Sequence, residues 1–240
     1  MGKDDPIYGQ SDIVRLSDED EAVALLERAV TGLWEVVNDL TRFRRTTRQN
    51  YRVTIFGSAR LKPGTPAYDG VRKLAAELVT MGCDILTGGG PGLMQAANEG
   101  AATSPAHARS IGIRVDLPFE QNVNAYVTQA FEHRTFFTRL HQFVLTSDAF
   151  VVAPGGIGTV LETMMIWQLL QVGHLRDSPL ILVGKMWPGL VEWARRSMIS
   201  SDPPLADPRD MAIPHCVASA DEAIAVVREH RTKWLNAQKP

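Results

Sequence analysis

With 240 residues, 45% of them hydrophobic, and a net charge of −2, the chain has the size and composition of one large globular domain. The near-neutral charge argues against nucleic acid or acidic membranes as partners, and no run of about 18 apolar residues predicts a membrane span. Two distant cysteines, Cys83 and Cys216, do not make a disulfide framework, and the N-terminus lacks the apolar core of a signal peptide. We therefore expect a cytoplasmic protein.

The first part of the chain predicts a polar arm and then one long helix. Residues 1–17 are polar, and we expect them to be poorly ordered. Ser17 and the three acids after it provide a helix cap and a negatively charged first turn. Apolar residues recur at helical spacing from Leu25 to Leu40. The helix is therefore predicted over 18–47, with its apolar stripe packed on the domain or on a second subunit.

From residue 52 onward, strand and helix patterns alternate. Strands are predicted at 52–56, 83–87, 110–115, 130–133, 149–153, 180–183 and 215–218, with helices including 68–81 and 135–146 between them. This alternation predicts a Rossmann-like, doubly wound parallel sheet with helices on both faces, in a single nucleotide-binding domain over 18–240. Ligands of such folds bind at the carboxyl ends of the strands. Three glycine turns fall at such ends, at 57–58, 88–92 and 155–158.

The last of these turns is the first candidate site. It reads P-G-G-I-G-T over 154–159 and joins an apolar run to an apolar helix. The free N–H groups and positive dipole end of that helix favour an anion, and a phosphate can approach a backbone that lacks side chains. Glu162 lies one turn inside the helix, beside the expected ligand. The alternative is that Thr159 and Glu162 form a T-x-x-E capping box and only close the helix end.

The second candidate is the turn T-G-G-G-P-G-L-M over 87–94. Three successive glycines cost conformational entropy that a simple connector avoids, so backbone contact with a ligand is the better explanation, and a flexible connection is the alternative. Pro91 is predicted to open the following helix, because its missing N–H has no partner to lose there.

Arg139 is the candidate cation. It lies at the edge of the apolar stripe of helix 135–146, which leads directly into the strand before the 154–159 turn. The functional interpretation is a guanidinium that reaches toward that turn. The alternative is an arginine whose aliphatic stem covers the core.

Several templates are missing from the sequence. The phosphate-loop pattern G-x-x-x-x-G-K-[ST], the dinucleotide pattern G-x-G-x-x-G and the nucleophile elbow G-x-S-x-G do not occur where they would be needed. The six histidines show no metal-ligand spacing. We therefore predict no metal and no cofactor.

The glycine motifs resemble those of the LONELY GUY family, the nucleoside 5′-monophosphate phosphoribohydrolases long misnamed lysine decarboxylases. Residues 154–162 match the family signature P-G-G-x-G-T-x-x-E, and residues 88–94 resemble G-G-G-x-x-G-L-M with one residue fewer. Residues 56–60, F-G-S-A-R, are similar to the first turn of the family. The resemblance covers about residues 52–185.

The resemblance implies a homodimer that cleaves the N-glycosidic bond of a purine nucleoside 5′-monophosphate such as AMP, or of a cytokinin riboside 5′-monophosphate, to free base and ribose 5-phosphate. By the family pattern the catalytic residues are Arg139 and Glu162. Substrate-binding residues are expected in the three turns: Gly57, Ser58, Gly88, Gly89, Gly90, Gly92, Met94, Pro154, Gly155, Gly156, Gly158 and Thr159. Leu140 stands where the cytokinin-activating members have a lysine, and this departure weighs against a cytokinin substrate.

Two other functions stay open. Carrier proteins for the molybdenum cofactor resemble this fold and also hold a phosphate with glycine turns, so the alternative is a non-catalytic nucleotide-binding or cofactor-binding protein. The joint presence of Arg139 and Glu162 favours the enzyme. A lysine decarboxylase needs a lysine bonded to pyridoxal phosphate, and only Lys185, just past a strand, is plausible for that role.

Overall fold

The computed structural model describes residues 19–43, 50–103, 108–116 and 123–238. The chain divides into two compact units, residues 1–47 and 48–240. The first unit contains helix α1, Glu19–Phe43, which lies inside the helix predicted over 18–47. The predicted arm at 1–17 lies outside the described residues, and a single domain over 18–240 stays a prediction.

The second unit alternates strands and helices as the sequence predicts. Its elements are β1 Tyr51–Phe56, α2 Pro66–Thr80, β2 Cys83–Thr87, α3 Leu93–Ala102, β3 Ser110–Val115, β4 Gln129–His133, α4 Phe136–Thr146, β5 Ala149–Val152, α5 Ile157–Gln171, β6 Leu180–Val183, α6 Trp187–Ala194, β7 Pro214–Val217 and α7 Ala220–Ala237. A short π-helical segment at Arg195–Ile199 and a 3-10 helix at Pro208–Ala212 lie between α6 and β7.

The strands form a seven-stranded sheet in the order β4-β3-β2-β1-β5-β6-β7. Every neighbouring pair is parallel. The Rossmann-like fold predicted from the sequence is therefore confirmed. The strand order reverses between β1 and β5, so a crevice is expected outside the carboxyl ends of these two strands. Because β2, β1 and β5 are neighbours, the three glycine turns meet at this edge.

Two apolar clusters cover the two faces of the sheet. One packs β1 residues such as Val53 and Ile55 against α2, α3 and α7. The other packs Phe56 and Phe150 against α4, α5 and α6, and Phe56 meets the ring of Phe143 edge-on at 5.0 Å. Strands buried on both faces explain the unbroken apolar runs in the sequence. Within the described residues, no helix is long and apolar enough to cross a bilayer.

Candidate active site

The three glycine turns are joined by backbone hydrogen bonds. We call them the β1 turn (57–58), the β2 turn (88–92) and the β5 turn (154–158). The Ser58 N–H donates to the Pro154 carbonyl at 3.0 Å, and the Ser58 carbonyl accepts from the Leu93 N–H at 2.8 Å. Ser58 thus bridges the other two turns. Its hydroxyl accepts from the Arg60 N–H at 3.1 Å and supports its own turn.

Gly92 shows why the β2 turn is more than a connector. Its φ is +70°, and a Cβ there would overlap the Ser58 carbonyl, so only glycine fits. Gly92 is also the N-cap residue of α3, which begins at Leu93. The prediction that Pro91 opens the helix is therefore wrong, because the non-helical Gly92 stands between them. The hydrogen bond from Leu93 to Ser58 also argues against a flexible connection.

An ion pair of Arg139 and Glu162 lies beside these turns. Arg139 Nη1 is 3.2 Å from Glu162 Oε1, and the two side chains are only 13% and 11% exposed. Arg139 Nε donates to the Ile113 carbonyl at 2.8 Å, and the guanidinium carbon lies 5.3 Å from the centre of the Phe143 ring. The arginine is therefore held by β3, α4 and α5 together, and it does more than cover the core.

The environment of Glu162 changes its protonation. Burial raises the pKa of the Glu162 carboxyl from its ordinary 4.5 to about 7, and the Arg139 guanidinium opposes this rise. Helix α5 starts at Ile157, with Gly156 as its N-cap residue and no side-chain cap. The capping-box alternative is therefore wrong, because the helix begins two residues before Thr159 and the Glu162 carboxylate bonds to Arg139.

The β2 turn touches the ion pair through Gly88. A Cβ built on Gly88 would overlap the Arg139 guanidinium and would lie 2.7 Å from Met94 Sδ. Gly88, Gly89, Gly90 and Gly92 are all buried. The close approach explains the glycine at 88. It places the 88–94 motif against Arg139, which pairs with Glu162 of the 154–162 motif.

The β5 turn has an open side and a packed side. A Cβ at Gly156 or Gly158 would meet no atom of the described chain within 4 Å. At Gly155 it would overlap the Thr159 side chain, and Thr159 is only 5% exposed. Gly155 and Thr159 thus pack on each other, whereas Gly156 and Gly158 line the open side, where an anion has room.

Two positions bear on the competing interpretations. Leu140, at the position of the family lysine, is 6% exposed and belongs to the core. Lys185 is exposed, which is a poor setting for a lysine that must lose its charge to form a Schiff base. Among the described residues, no group of three or more His, Cys, Asp or Glu side chains could hold a metal ion.

Sequence reasoning missed two residues near the β2 turn, Asn98 and Asn124. The Asn98 amide is fully buried, and the Asn124 amide donates to the Gly89 and Gly90 carbonyls. An asparagine on the buried face of a short helix directly after a glycine turn was the available signal, since a buried amide needs partners. No local signal pointed to Asn124.

Fold and site together define a Rossmann-like α/β protein with a buried arginine–glutamate pair beside its topological switch point. Within that class, the chain belongs to the family described as "Possible lysine decarboxylase", whose model matches residues 94–227. This is the LONELY GUY family under its older description, so the membership expected from the motifs is confirmed. No curated protein matches the chain.

Solved structures share the fold at low identity. The Moco carrier protein from Chlamydomonas reinhardtii is 22% identical with a TM-score of 0.57, over 77% of this chain and 99% of that one. The molybdenum cofactor binding protein from Rippkaea orientalis is 20% identical with a TM-score of 0.57, over 77% and 98%. DNA processing protein A from Helicobacter pylori, described as binding single-stranded DNA, is 16% identical with a TM-score of 0.50, over 79% and 84%.

Proposed function

We propose that this protein hydrolyses the N-glycosidic bond of a purine nucleoside 5′-monophosphate, with AMP as the first substrate to test. Water and AMP would give adenine and ribose 5-phosphate. One observation carries the proposal: a buried Arg139–Glu162 pair lies where the glycine turns converge, and the pKa of Glu162 is raised to about 7. Membership of the LONELY GUY family supports it.

The phosphate is assigned to the open side of the β5 turn and to the β2 turn. At Gly156 and Gly158, backbone N–H groups at the start of α5 are accessible without an intervening side chain. This placement sets the ribose beside Glu162, one turn further along the same helix. The phosphate therefore anchors the substrate, and the acid acts on the sugar.

Glu162 is assigned the chemical step. Breaking the N-glycosidic bond builds positive charge on the ribose, which a nearby carboxylate stabilises. A pKa near 7 also suits a group that takes a proton from the attacking water. Such a carboxylate is more basic than an ordinary one, and a large share of it is still ionised at neutral pH. Glycosidases usually divide such work between two carboxylates. Here Arg139 stands in place of the second carboxylate, and it orients Glu162 and the substrate.

The direct test is a panel of nucleoside monophosphates scored for ribose 5-phosphate and free base. We expect release from a purine monophosphate, and we expect Glu162→Gln to abolish it while circular dichroism stays unchanged. Undiminished turnover in that variant would remove Glu162 from the mechanism. A cytokinin riboside monophosphate belongs in the panel, although Leu140 offers no cation to it.

The alternative is a protein that binds a phosphate-bearing ligand without turning it over, such as a molybdenum-cofactor carrier. The observation that favours it is the likeness of the fold to the carrier from Chlamydomonas reinhardtii and the binding protein from Rippkaea orientalis. A carrier binds its ligand and releases no free base. The same panel therefore separates the two functions.

We also propose that the protein is a cytoplasmic homodimer, with no nucleic acid or membrane partner. Helix α5 leaves Ile157 87% exposed and Leu161 50% exposed, and Phe137 at the start of α4 is 86% exposed. Apolar residues on neighbouring turns of one helix are typical of a surface that a partner covers. Sedimentation equilibrium tests the homodimer directly.

A further inference from the structure

A buried polar cluster lies beneath the β2 turn and has no part in the proposed chemistry. We call it the asparagine clamp; it consists of Thr87, Asn98, Ser110 and Asn124. The first three are at most 2% exposed. Polar groups at that depth need hydrogen-bond partners, so the arrangement of the clamp is tightly constrained.

Asn98 is the centre of the clamp. Its Oδ1 accepts from the Thr87 hydroxyl at 2.7 Å and from Asn124 Nδ2 at 2.9 Å, and its Nδ2 donates to the Ser110 hydroxyl at 2.9 Å. One side chain on α3 thus ties together the end of β2, the start of β3 and the segment that leads into β4.

Asn124 connects the clamp to the β2 turn. Its Nδ2 lies 3.1 Å from the Gly89 carbonyl oxygen and 3.0 Å from that of Gly90, and its backbone N–H donates to the Gly89 carbonyl at 2.7 Å. The opposite orientation of the amide would set its oxygen against two carbonyl oxygens, so the amide must present its Nδ2 to the turn. One N–H of Nδ2 goes to Asn98, and the two carbonyls share the other. Both carbonyls are therefore held on the Asn124 side.

This arrangement fixes where the Gly90 N–H points. In a trans peptide the carbonyl of one residue and the N–H of the next point in opposite directions. The Gly90 N–H must then point away from Asn124. Asn124 binds on the α3 side of the sheet through Asn98, whereas the ion pair of Arg139 and Glu162 belongs to α4 and α5 on the other face.

We propose that Asn98 and Asn124 are positioning residues for the substrate phosphate. They hold the Gly89 and Gly90 carbonyls away from the crevice, so that the Gly90 N–H rather than a carbonyl oxygen faces the anion. The Gly89 N–H donates to the Thr87 hydroxyl at 2.9 Å, and Pro91 has no N–H to offer. The proposal rests on the proposed function for the identity of the ligand, a nucleoside 5′-monophosphate. It assigns the clamp to phosphate binding and leaves the chemical step to Glu162.

The test compares binding of AMP, ribose 5-phosphate and adenosine by calorimetry, with Glu162→Gln as the background so that AMP is not hydrolysed during the titration. Asn124→Ala should weaken binding of AMP and ribose 5-phosphate by about tenfold, the usual effect of losing a hydrogen-bonding group, and should leave adenosine binding unchanged. With AMP as substrate, KM should rise while kcat stays within about twofold, since the variant leaves Glu162 in place. Asn50→Ala is the matched control, because that part-buried amide donates to Asp84 Oδ1 at 2.9 Å, outside the three turns.

The possible outcomes separate the two proposals. Equal affinity for AMP with and without Asn124→Ala, or a parallel loss for adenosine, would overturn the clamp and leave the hydrolase intact. If Asn124→Ala loses affinity for the phosphate-bearing ligands only, and the wild type releases no base, the clamp is supported and the hydrolase is overturned. A wild type that binds neither AMP nor ribose 5-phosphate would overturn both.

Discussion

The pH dependence of the reaction is the sharpest consequence of the burial of Glu162. If the ionised carboxylate stabilises the ribose charge, activity must follow the fraction of Glu162 that is ionised. Its pKa is raised from 4.5 to about 7 by burial. The rate should therefore increase as pH rises through about 7 and level off above it, instead of reaching its plateau near pH 5.5.

The magnitude follows from that pKa. At pH 6 a carboxyl with a pKa of about 7 is ionised in roughly one molecule in ten, so kcat/KM should be about a tenth of its plateau. With the ordinary value of 4.5, more than about 95% would be ionised and the loss would be barely measurable. Arg139→Gln removes the cation that opposes the rise, so the midpoint of its residual activity should move to higher pH.

The assay is adenine release from AMP across about pH 5 to 9, the range in which a carboxyl with a raised pKa titrates. The phosphate of AMP also titrates near pH 6, so the pH dependence of AMP binding to Glu162→Gln serves as the correction for the substrate. Glu229→Gln, an exposed residue of α7 paired with Lys233, is the matched control. A profile that is flat between pH 5.5 and 8 after this correction would refute the reasoning (an ordinary carboxyl being about 90% ionised at pH 5.5).

Three further substitutions test separate parts of the site. Gly88→Ala should lower kcat by at least about tenfold with the fold retained by circular dichroism, because its Cβ overlaps the Arg139 guanidinium; normal kcat would contradict that contact. Gly158→Ala should raise stability by about 0.5–1 kcal/mol in thermal melts yet raise KM, whereas Gly70→Ala, also an open helical glycine, should only stabilise. An unchanged KM would mean that no ligand approaches Gly158. Leu161→Arg should shift the sedimenting species to monomer, and an unchanged mass would move the interface elsewhere.

Most of the fold was predictable because its strands are buried on both faces. Runs such as β5 are continuously apolar, and they are bounded by glycine turns that mark their ends. The strand β4 is exposed over most of its length, so its pattern was weak, although the predicted 130–133 lies inside Gln129–His133. The predicted start of α3 was wrong. The preference of proline for a first helical position is local, and it carries no information on the positive φ with which Gly92 meets Ser58.

The candidate site was predictable where its signal is local. Glycine turns after strands predict close backbone approach, and the structure brings all three together. The T-x-x-E pattern was ambiguous, since the partner that decides it, Arg139, lies 23 residues away in sequence. Asn124 could not be found at all, because its role depends on the Gly89 carbonyl 35 residues earlier.

The most direct measurement is the release of adenine and ribose 5-phosphate from AMP by the wild type and by Glu162→Gln, at pH 8. The wild type should release both products in equal amounts, and the variant should release at least about a hundredfold less, the usual contribution of a positioned acid–base group. Tight binding of AMP by the wild type with no release of either product would contradict the assignment of Glu162 to catalysis and favour a carrier.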